Sequence, residues 1–574
     1  MNKCFFYALF FIIFPAAVLF ASPDGLKREM LDDLKIIQKT LEVKYAPADW
    51  KKICFDWDLS EKCDLARSQI LNLSSPSLKD YHKILRNVFI SAADYHVNVF
   101  FHSTETSFLP FQVQGSQGRY FLTWLDPHQL PAEAFDWEVG DEILTFDGQP
   151  VDALVQKTRQ NQWDRHRELT DQRFAELSLT LRSGAFAEDV AQGPIVIELR
   201  SKKTDEVKAY TLNWEYYPEK IKDFEKEDKL VQPKGIYKTT LLFEKPYYAK
   251  EMVTPHFSLL KKLAKISGSE DILAGRKSFI PPLGKIIWET SEYDAFHAYI
   301  FETPNQARVG YLRIGSYGGG EEEVREFARL IELFQQRTQA LVIDQVNNPG
   351  GLVFYQYALL SMLTDKPLHL HTYQMTLTQE DIMEALESLD LLKRIENDDD
   401  ALIVCGETLS GYPVNYELVQ AVIDYFQFIL HEWDEGKYFT DAGYLIMNQI
   451  EPAAISYKRP LIVLTNEFDF SCGDTMPSIL QDNQRALIFG STTAGAGGTV
   501  STSSHPNRLG VAYYSYTTSI LQREDQSRIE NVGVTPDVSY VLTPEDYQNG
   551  YQGYVKALHS VLNDILKKKP ERGR

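Results

Sequence analysis

Met30, Leu34, Ile37 and Leu41 fall at i, i+4, i+7 and i+11, one face of a 3.6-residue repeat, and predict an amphipathic helix near the head of the chain. A second helix is predicted over about 77–92. It gives way at Val97-Asn98-Val99-Phe100-Phe101 to the alternating, aromatic pattern of a strand. From about 109 to 213 the chain reads as short strands joined by turns. Within that block, Gly140-Asp141 and Asp147-Gly148 turn on either side of the apolar run Ile143-Leu144, which predicts a strand pair. From Glu219 to about Lys277 the composition shifts to Lys and Glu, interrupted by Pro233, Pro246 and Pro255, and predicts an irregular insert or linker.

The C-terminal half is more regular. Val309-Gly310-Tyr311-Leu312-Arg313-Ile314 predicts a strand, and Val324, Phe327, Leu330/Ile331 and Phe334 mark the buried stripe of a helix. Ala340-Leu341-Val342-Ile343-Asp344 predicts a buried strand, followed by a Gly turn and an apolar helix through Leu359 and Leu363. Pro460 to Leu464, Asp474 to Leu480 and Ala486 to Gly490 then repeat strand, helix, strand. This alternation predicts a parallel sheet covered by helices. Residues from about 378 to 438 are predicted mostly helical, with Asp398-Asp399-Asp400 as a solvated loop between helices.

Composition narrows the function classes. The 574 residues are 44% hydrophobic and 24% charged, enough to bury several cores, so disorder, collagen and coiled coil are excluded as whole-chain descriptions. Lys+Arg 59 against Asp+Glu 80 leaves a formal charge of -21, which repels phosphate backbones. The short basic tail around Lys567-Lys568-Lys569 is too small to offset it, and no nucleic-acid partner is expected. Met1-Asn2-Lys3, the apolar run from Cys4 to Phe20 and the small Ala21 have the form of a signal peptide. That run is shorter than the roughly 20 residues of a spanning helix, and Pro15 interrupts it. The mature protein is therefore expected to be exported and soluble, without a stable membrane anchor. Cys54, Cys63, Cys405 and Cys472 remain after the signal, too few for a disulfide framework, and a pairing of Cys54 with Cys63 is left open.

In open α/β sheets reactive groups collect where strands end and helices begin, and two such junctions stand out. At Asp344-Gln345-Val346-Asn347-Asn348-Pro349-Gly350-Gly351, adjacent glycines permit close approach of the backbone to a ligand, and their N–H groups can face developing negative charge. At Asn466-Glu467-Phe468-Asp469-Phe470-Ser471-Cys472-Gly473-Asp474, Ser471 stands at the head of a helix, where the dipole and free N–H groups favour an oxyanion. The competing description is a helix cap, since Ser with Asp three residues later is a good capping pair. Cys472 is an alternative nucleophile. A serine needs a base. No lysine occurs between Ser471 and Lys556, which favours histidine; His505 and His96 are both candidates, and spacing does not choose between them. His431-Glu432 lacks the second histidine of a zinc-protease helix, His369 and His371 have no partner motif, and no P-loop or dinucleotide fingerprint appears. No metal or cofactor is expected.

Taken together and in order, Lys44-Tyr45-Ala46-Pro47, Asp94-Tyr95-His96, the Gly-Asp/Asp-Gly pair, Ile343-Asp344-Gln345 through Gly351, and Leu359 through Asp365 resemble the C-terminal-processing (tail-specific) serine peptidases. The resemblance continues through Asn466 to Cys472, Thr493-Ala494-Gly495-Ala496-Gly497-Gly498 and Ile529-Glu530-Asn531-Val532-Gly533-Val534-Thr535-Pro536, nearly the whole mature chain. It implies an α/β (α+β multidomain) fold with a crotonase/ClpP-like β-α-β protease core, an N-terminal helical region and an inserted PDZ-like domain. The divisions it implies are a signal peptide over 1–21, a helical region carrying the histidine over 22–107 and a PDZ-like domain over 108–213. An autoprocessed inhibitory segment over 214–278 and a catalytic domain over 279–574 complete the chain.

The same resemblance implies a Ser-His-Glu triad: Ser471 as nucleophile, His96 as general base and Glu530 as the carboxylate that orients the imidazole. The oxyanion hole is then the Cys472 N–H with an N–H of the Gly350-Gly351 turn, and His505 becomes structural. The expected protein is a secreted serine endopeptidase, made as an inactive precursor that cuts itself and dimerises. Its substrates are proteins or peptides, those of a host cell included. Two other readings stand beside it: a secreted non-catalytic binding protein on a peptidase scaffold, and a crotonase-like acyl hydrolase in which Gly350-Gly351 serves equally well.

Overall fold

The computed structural model describes residues 23–131, 134–220, 274–505 and 509–567. Its central layer is a seven-stranded sheet whose spatial order follows the chain: Lys285–Glu289, Ala298–Glu302, Arg308–Arg313, Ala340–Asp344, Leu461–Thr465, Leu487–Gly490 and Val538–Ser539. The first two strands pair antiparallel, and all pairings from Arg308–Arg313 onward are parallel. Every residue of Ala340–Asp344 and Leu461–Thr465 is buried, because helices cover both faces. Alternate residues serve opposite faces. Leu341, Ile343 and Val463 pack with Phe327, Leu330, Ile331 and Phe334 of the helix Glu321–Arg337. Val342, Ile462 and Leu464 pack on the other side with Tyr554, Leu558 and Leu562 of the helix Gln552–Lys567.

Four helices, Pro23–Lys44, Ala48–Phe55, Leu59–Asn72 and Leu78–Ile90, open the described chain. Met30, Leu34, Ile37 and Leu41 are all buried in the core they share, as the spacing predicts. Ser77 and Asp80 form a capping box at the start of the fourth helix. Past its end the chain passes through Asp94 to His96 and becomes the strand Asn98–Phe101, paired antiparallel with Val511–Thr517. The helical region is thus stitched into the catalytic part by a sheet, and Val511, Tyr514 and Tyr516 belong to its core.

The block from 109 to 213 departs from the all-strand expectation. Its strands Phe111–Ser116, Arg119–Leu125, Glu142–Phe146, Pro194–Arg200 and Val207–Asn213 form one antiparallel sheet. Two α-helices interrupt them, Val151–Thr158 and Glu168–Thr180. The second is buried on most sides, and Asp171, Arg173 and Glu176 lie among its buried residues, so no apolar stripe of helical period shows in the sequence. Likewise Asp398-Asp399-Asp400 is not a loop but the first turn of the helix Asp398–Cys405, capped by Asn397. Three carboxylates suit the positive end of the helix dipole.

Most of the expected inhibitory segment lies outside the described residues, as do the expected signal peptide and Lys568-Lys569. Of that segment, Glu215–Tyr217 is a strand paired with Thr106–Phe108. Cys54 is exposed and Cys63 is buried, and both are free thiols. Among the described residues no helix is long and apolar enough to cross a membrane, and no group of His, Cys, Asp and Glu could hold a metal ion.

Candidate active site

Ser471 follows the parallel strand Leu461–Thr465 and heads the helix Cys472–Asp482, with φ +57° and ψ −115°. A serine seldom adopts that backbone conformation, and such strain persists only where surrounding bonds impose it. Asp474 imposes it. Its Oδ2 accepts from the N–H groups of Ser471 (3.0 Å) and Ala496 (3.0 Å), while Oδ1 accepts from the Gly495 N–H (2.9 Å) and the Thr493 hydroxyl. Gln345 Nε2 donates to the Gly473 carbonyl and Gln356 Nε2 to the Cys472 carbonyl, both at 2.7 Å.

The serine hydroxyl does not cap this helix. The Asp474 N–H, which a capping serine would satisfy, instead donates to the Ser471 carbonyl oxygen (2.8 Å). Ser471 Oγ is buried with no hydrogen-bond partner. Structural needs therefore do not explain the hydroxyl. Cys472 is excluded as the nucleophile by its setting: the thiol is buried, donates to the Gly351 carbonyl (3.4 Å) and has its pKa pushed up to about 12 by burial.

His96 lies in the turn between the fourth helix and the strand Asn98–Phe101. Its N–H donates to Asp94 Oδ1 (2.8 Å), and its carbonyl accepts from the Ser515 hydroxyl. The ring is fully buried and neither nitrogen has a partner. Burial lowers its pKa below the ordinary imidazole value, with the Asp94 charge acting the other way, so the ring is neutral at pH 7, the form a general base requires. His505, the other candidate, is bonded through Nε2 to Asp33 Oδ1, and the Tyr81 hydroxyl donates to the other oxygen of the same carboxylate. That network ties the first and fourth helices to the His505 loop.

Glu530 stands beside the segment that carries His96. Asn531 Nδ2 donates to the Ala93 carbonyl (2.6 Å), and the Asn531 N–H donates to the Gly495 carbonyl (2.9 Å). The Tyr95 ring meets Phe470 edge-on at 5.4 Å. The fold therefore gathers the three chain segments that carry Ser471, His96 and Glu530. It does not join their reacting atoms: Glu530 Oε2, like both His96 nitrogens and Ser471 Oγ, is buried without a partner. The hydrogen-bonded row expected from the sequence is not formed in this closed arrangement. At Glu530 the other oxygen, Oε1, is engaged by Lys51 Nζ at 3.4 Å.

The Gly350-Gly351 turn lies against Ser471. A Cβ on Gly350, which sits at φ +92°, would fall 2.7 Å from Ser471 Cβ and 3.1 Å from the Cys472 nitrogen. The Gly350 N–H is already committed to Asn348 Oδ1 (2.8 Å). Of the two turn amides, Gly351 is the one left for an oxyanion, alongside Cys472. This narrows the sequence expectation, which included Gly350.

From the sequence, Lys51 has no role, Asp94 stands only within the His96 motif, and Asp474 is only a capping partner of Ser471. In Trp50-Lys51-Lys52 a lysine reads as surface, and only the packing of the helix Ala48–Phe55 buries it. His371 is paired with Asp482 (3.1 Å), and His431 is exposed in the last turn of the helix Tyr416–Asp434. A cavity of about 500 Å3 is lined by residues of both the 109–213 block and the catalytic core, Gln172, Arg173 and Glu467 among them, and its lining does not include Ser471.

Residues 105–221 match a PDZ domain, and residues 308–540 match peptidase family S41. An uncharacterized protein of Chlamydia muridarum is 33% identical, with 93% of this chain and 92% of its own covered. A protein of Chlamydia pneumoniae is also 33% identical, over 98% of this chain and 95% of its own. Among solved structures, mature CPAF in complex with lactacystin superposes with a TM-score of 0.80 at 29% identity, covering 95% of this chain and 100% of that one. A CPAF mutant with one serine replaced by alanine superposes at 0.83, again at 29% identity, covering 95% and 99%.

Proposed function

This chain belongs to peptidase family S41 and is a serine-type peptidase similar to the chlamydial protease-like activity factor, CPAF, and we propose that it is a secreted endopeptidase working through Ser471, His96 and Glu530. The observation that carries this reading is the Ser471 hydroxyl: buried, on a strained turn, spent on no cap, in a segment that packs through Phe470 against the Tyr95-His96 segment with its buried imidazole. In the mature enzyme Ser471 Oγ attacks the scissile carbonyl while His96 takes its proton. Glu530 stabilises the resulting imidazolium without itself being protonated. The Cys472 and Gly351 N–H groups hold the oxyanion at the positive end of the helix Cys472–Asp482. His96 then protonates the leaving amine, and water releases the acyl group by the reverse sequence.

The arrangement in this structure suits a precursor. All three functional side chains are buried, and their reacting atoms are unpaired. We assign activation to self-cleavage within 214–278 followed by dimerisation, with export through the signal peptide. Where the described chain resumes, the Ala274 N–H donates to the Asn347 carbonyl and the Ser278 hydroxyl donates to Asp344, so this end of the segment rests on the strand-to-turn junction that leads to Gly350-Gly351.

Ser471→Ala is expected to abolish both self-maturation and casein cleavage, read by intact mass and by gel, while leaving the precursor folded. His96→Ala should cost nearly as much and Glu530→Ala less, because these residues act as one unit. A fluorophosphonate is expected to label wild type at Ser471. Lactacystin, present in the complex with mature CPAF, should block that labelling. A Ser471→Ala chain that matures unaided would overturn the nucleophile assignment.

A further inference from the structure

Lys51 is buried beside Glu530, and the proposed chemistry gives it no role. Its side chain is fully buried, and the ammonium has three acceptors for its three protons. These are the Ala93 carbonyl (3.0 Å), Glu530 Oε1 (3.4 Å) and Asn531 Oδ1. The rings of Trp50 and Phe55 lie 5.3 and 5.5 Å from the ammonium and keep water from it. Asn531 completes a closed ring of bonds, since its own Nδ2 also reaches the Ala93 carbonyl. Both Ala93 (φ +50°) and Asn531 (φ +59°) are held in the left-handed region within this ring.

We propose that Lys51 is a positioning residue of the triad: it clamps one oxygen of Glu530 to the His96-bearing segment and leaves Oε2 as the oxygen that receives the His96 ring. The proposal rests on the Ser471-His96-Glu530 reading. Two observations select it over a general stabilising role. The ion pair uses only one carboxylate oxygen, and the oxygen left over is buried and unpartnered, as are both nitrogens of the histidine it would serve. The anchor points, Ala93 and Asn531, are chain neighbours of the two catalytic segments and not remote core positions.

The electrostatics agree. Burial is the largest effect pushing the Glu530 pKa well above the carboxylate range, Asp94 and Asp474 push the same way, and Lys51 pulls it down. Tyr45 faces the same carboxylates and donates to Asp94 Oδ2 (3.1 Å), and Arg165 donates to the Asp94 carbonyl (3.3 Å) without reaching Glu530. Lys51 is therefore the cation that opposes this upward push on Glu530 in a buried pocket that also holds Asp94.

Full-length wild type, Lys51→Met, Glu530→Gln and the double variant are incubated until the wild type has matured, and fluorophosphonate labelling of Ser471 is timed from pH 5 to 9. Lys51→Met is expected to label about 10- to 100-fold more slowly, as Glu530→Gln does, and the double variant no more slowly than the slower single one. In Lys51→Met the acidic limb should shift to higher pH, because Glu530 without its cation is protonated sooner as pH falls. A purely structural lysine would lower the melting temperature and leave that limb in place. Labelling of folded Lys51→Met at the wild-type rate, or losses that multiply in the double variant, would sink the proposal. If Lys51→Met does not fold, Lys51→Gln, neutral but able to donate, is judged by the same outcomes. Wild-type labelling of Glu530→Gln would instead overturn the triad itself.

Discussion

At the residue scale, Asp474 sets the surroundings of the Ser471 hydroxyl. Its carboxylate takes the backbone N–H of Ser471 and two N–H groups of the Gly495-Ala496 loop, while its own N–H goes to the Ser471 carbonyl and leaves the hydroxyl without the donor that a cap would satisfy. Its pKa is pushed up to about 6, chiefly by burial, while the donated hydrogen bonds pull it down. Its folded-state value thus exceeds its ordinary value of 3.8. Between those two values the folded state binds the extra proton, so this group's contribution to stability rises as pH falls from above 6 towards 4. We expect the gap in unfolding free energy between wild type and Asp474→Asn to widen on going from pH 7 to pH 5, by at most about 1.4 kcal/mol per pH unit. Urea titrations at each pH provide the measurement, and a gap that narrows contradicts the assignment.

At the element scale, the site is assembled by turns that no side chain could enter. Gly350 approaches Ser471 so closely that a methyl group would strike its Cβ at 2.7 Å and the Phe470 carbonyl at 2.8 Å. Gly350→Ala is expected to destabilise the fold by about 2–4 kcal/mol, from overpacking and from a φ of +92° that alanine resists. Fluorophosphonate labelling should fall at least tenfold, because relief of that contact moves either the nucleophile or the Gly351 amide. Thermal melts and labelling rates measured together test both halves. The same scale explains why the short helix Ala48–Phe55 matters: it delivers Lys51 into the site from the far N-terminal region.

At the scale of the whole molecule, the PDZ-matching block and the catalytic core share one apolar interior. Phe174, on the helix Glu168–Thr180, stacks with Trp163 at 4.6 Å and meets Phe468 at 4.9 Å, Phe470 at 6.0 Å and Tyr95 at 5.7 Å. Phe468 and Phe470 lead into Ser471, the proposed nucleophile, and Tyr95 leads into His96, the proposed base. A change in this block is therefore transmitted to the site by direct packing. Phe174→Ala is expected to cost about 3–5 kcal/mol. It should move a single cooperative transition in calorimetry rather than one of two. A separate low-temperature transition confined to the block would contradict this.

The chain's periodicities determined much of this. The continuous apolar runs Ala340–Asp344 and Leu461–Thr465, alternating with helical segments such as the stripe Phe327, Leu330, Ile331, Phe334, specify a helix-covered parallel sheet, because burying apolar area is a local property of the pattern. The -21 charge argues only against a nucleic-acid partner, and the missing lysine after Ser471 only favours histidine; the serine peptidase and its candidate triad are what the resemblance of the ordered motif runs implies. Helix Glu168–Thr180 escaped because it is wrapped on most sides and carries no contrast between faces. Tertiary structure alone decided which hydroxyl is idle, which histidine is spent on Asp33, which glycine amide is already bonded, and that Lys51 is buried against Glu530. Those facts depend on contacts between residues up to 479 positions apart. Hydrogen bonding and desolvation act over a few ångströms of space, and the order of residues along the chain does not carry that distance.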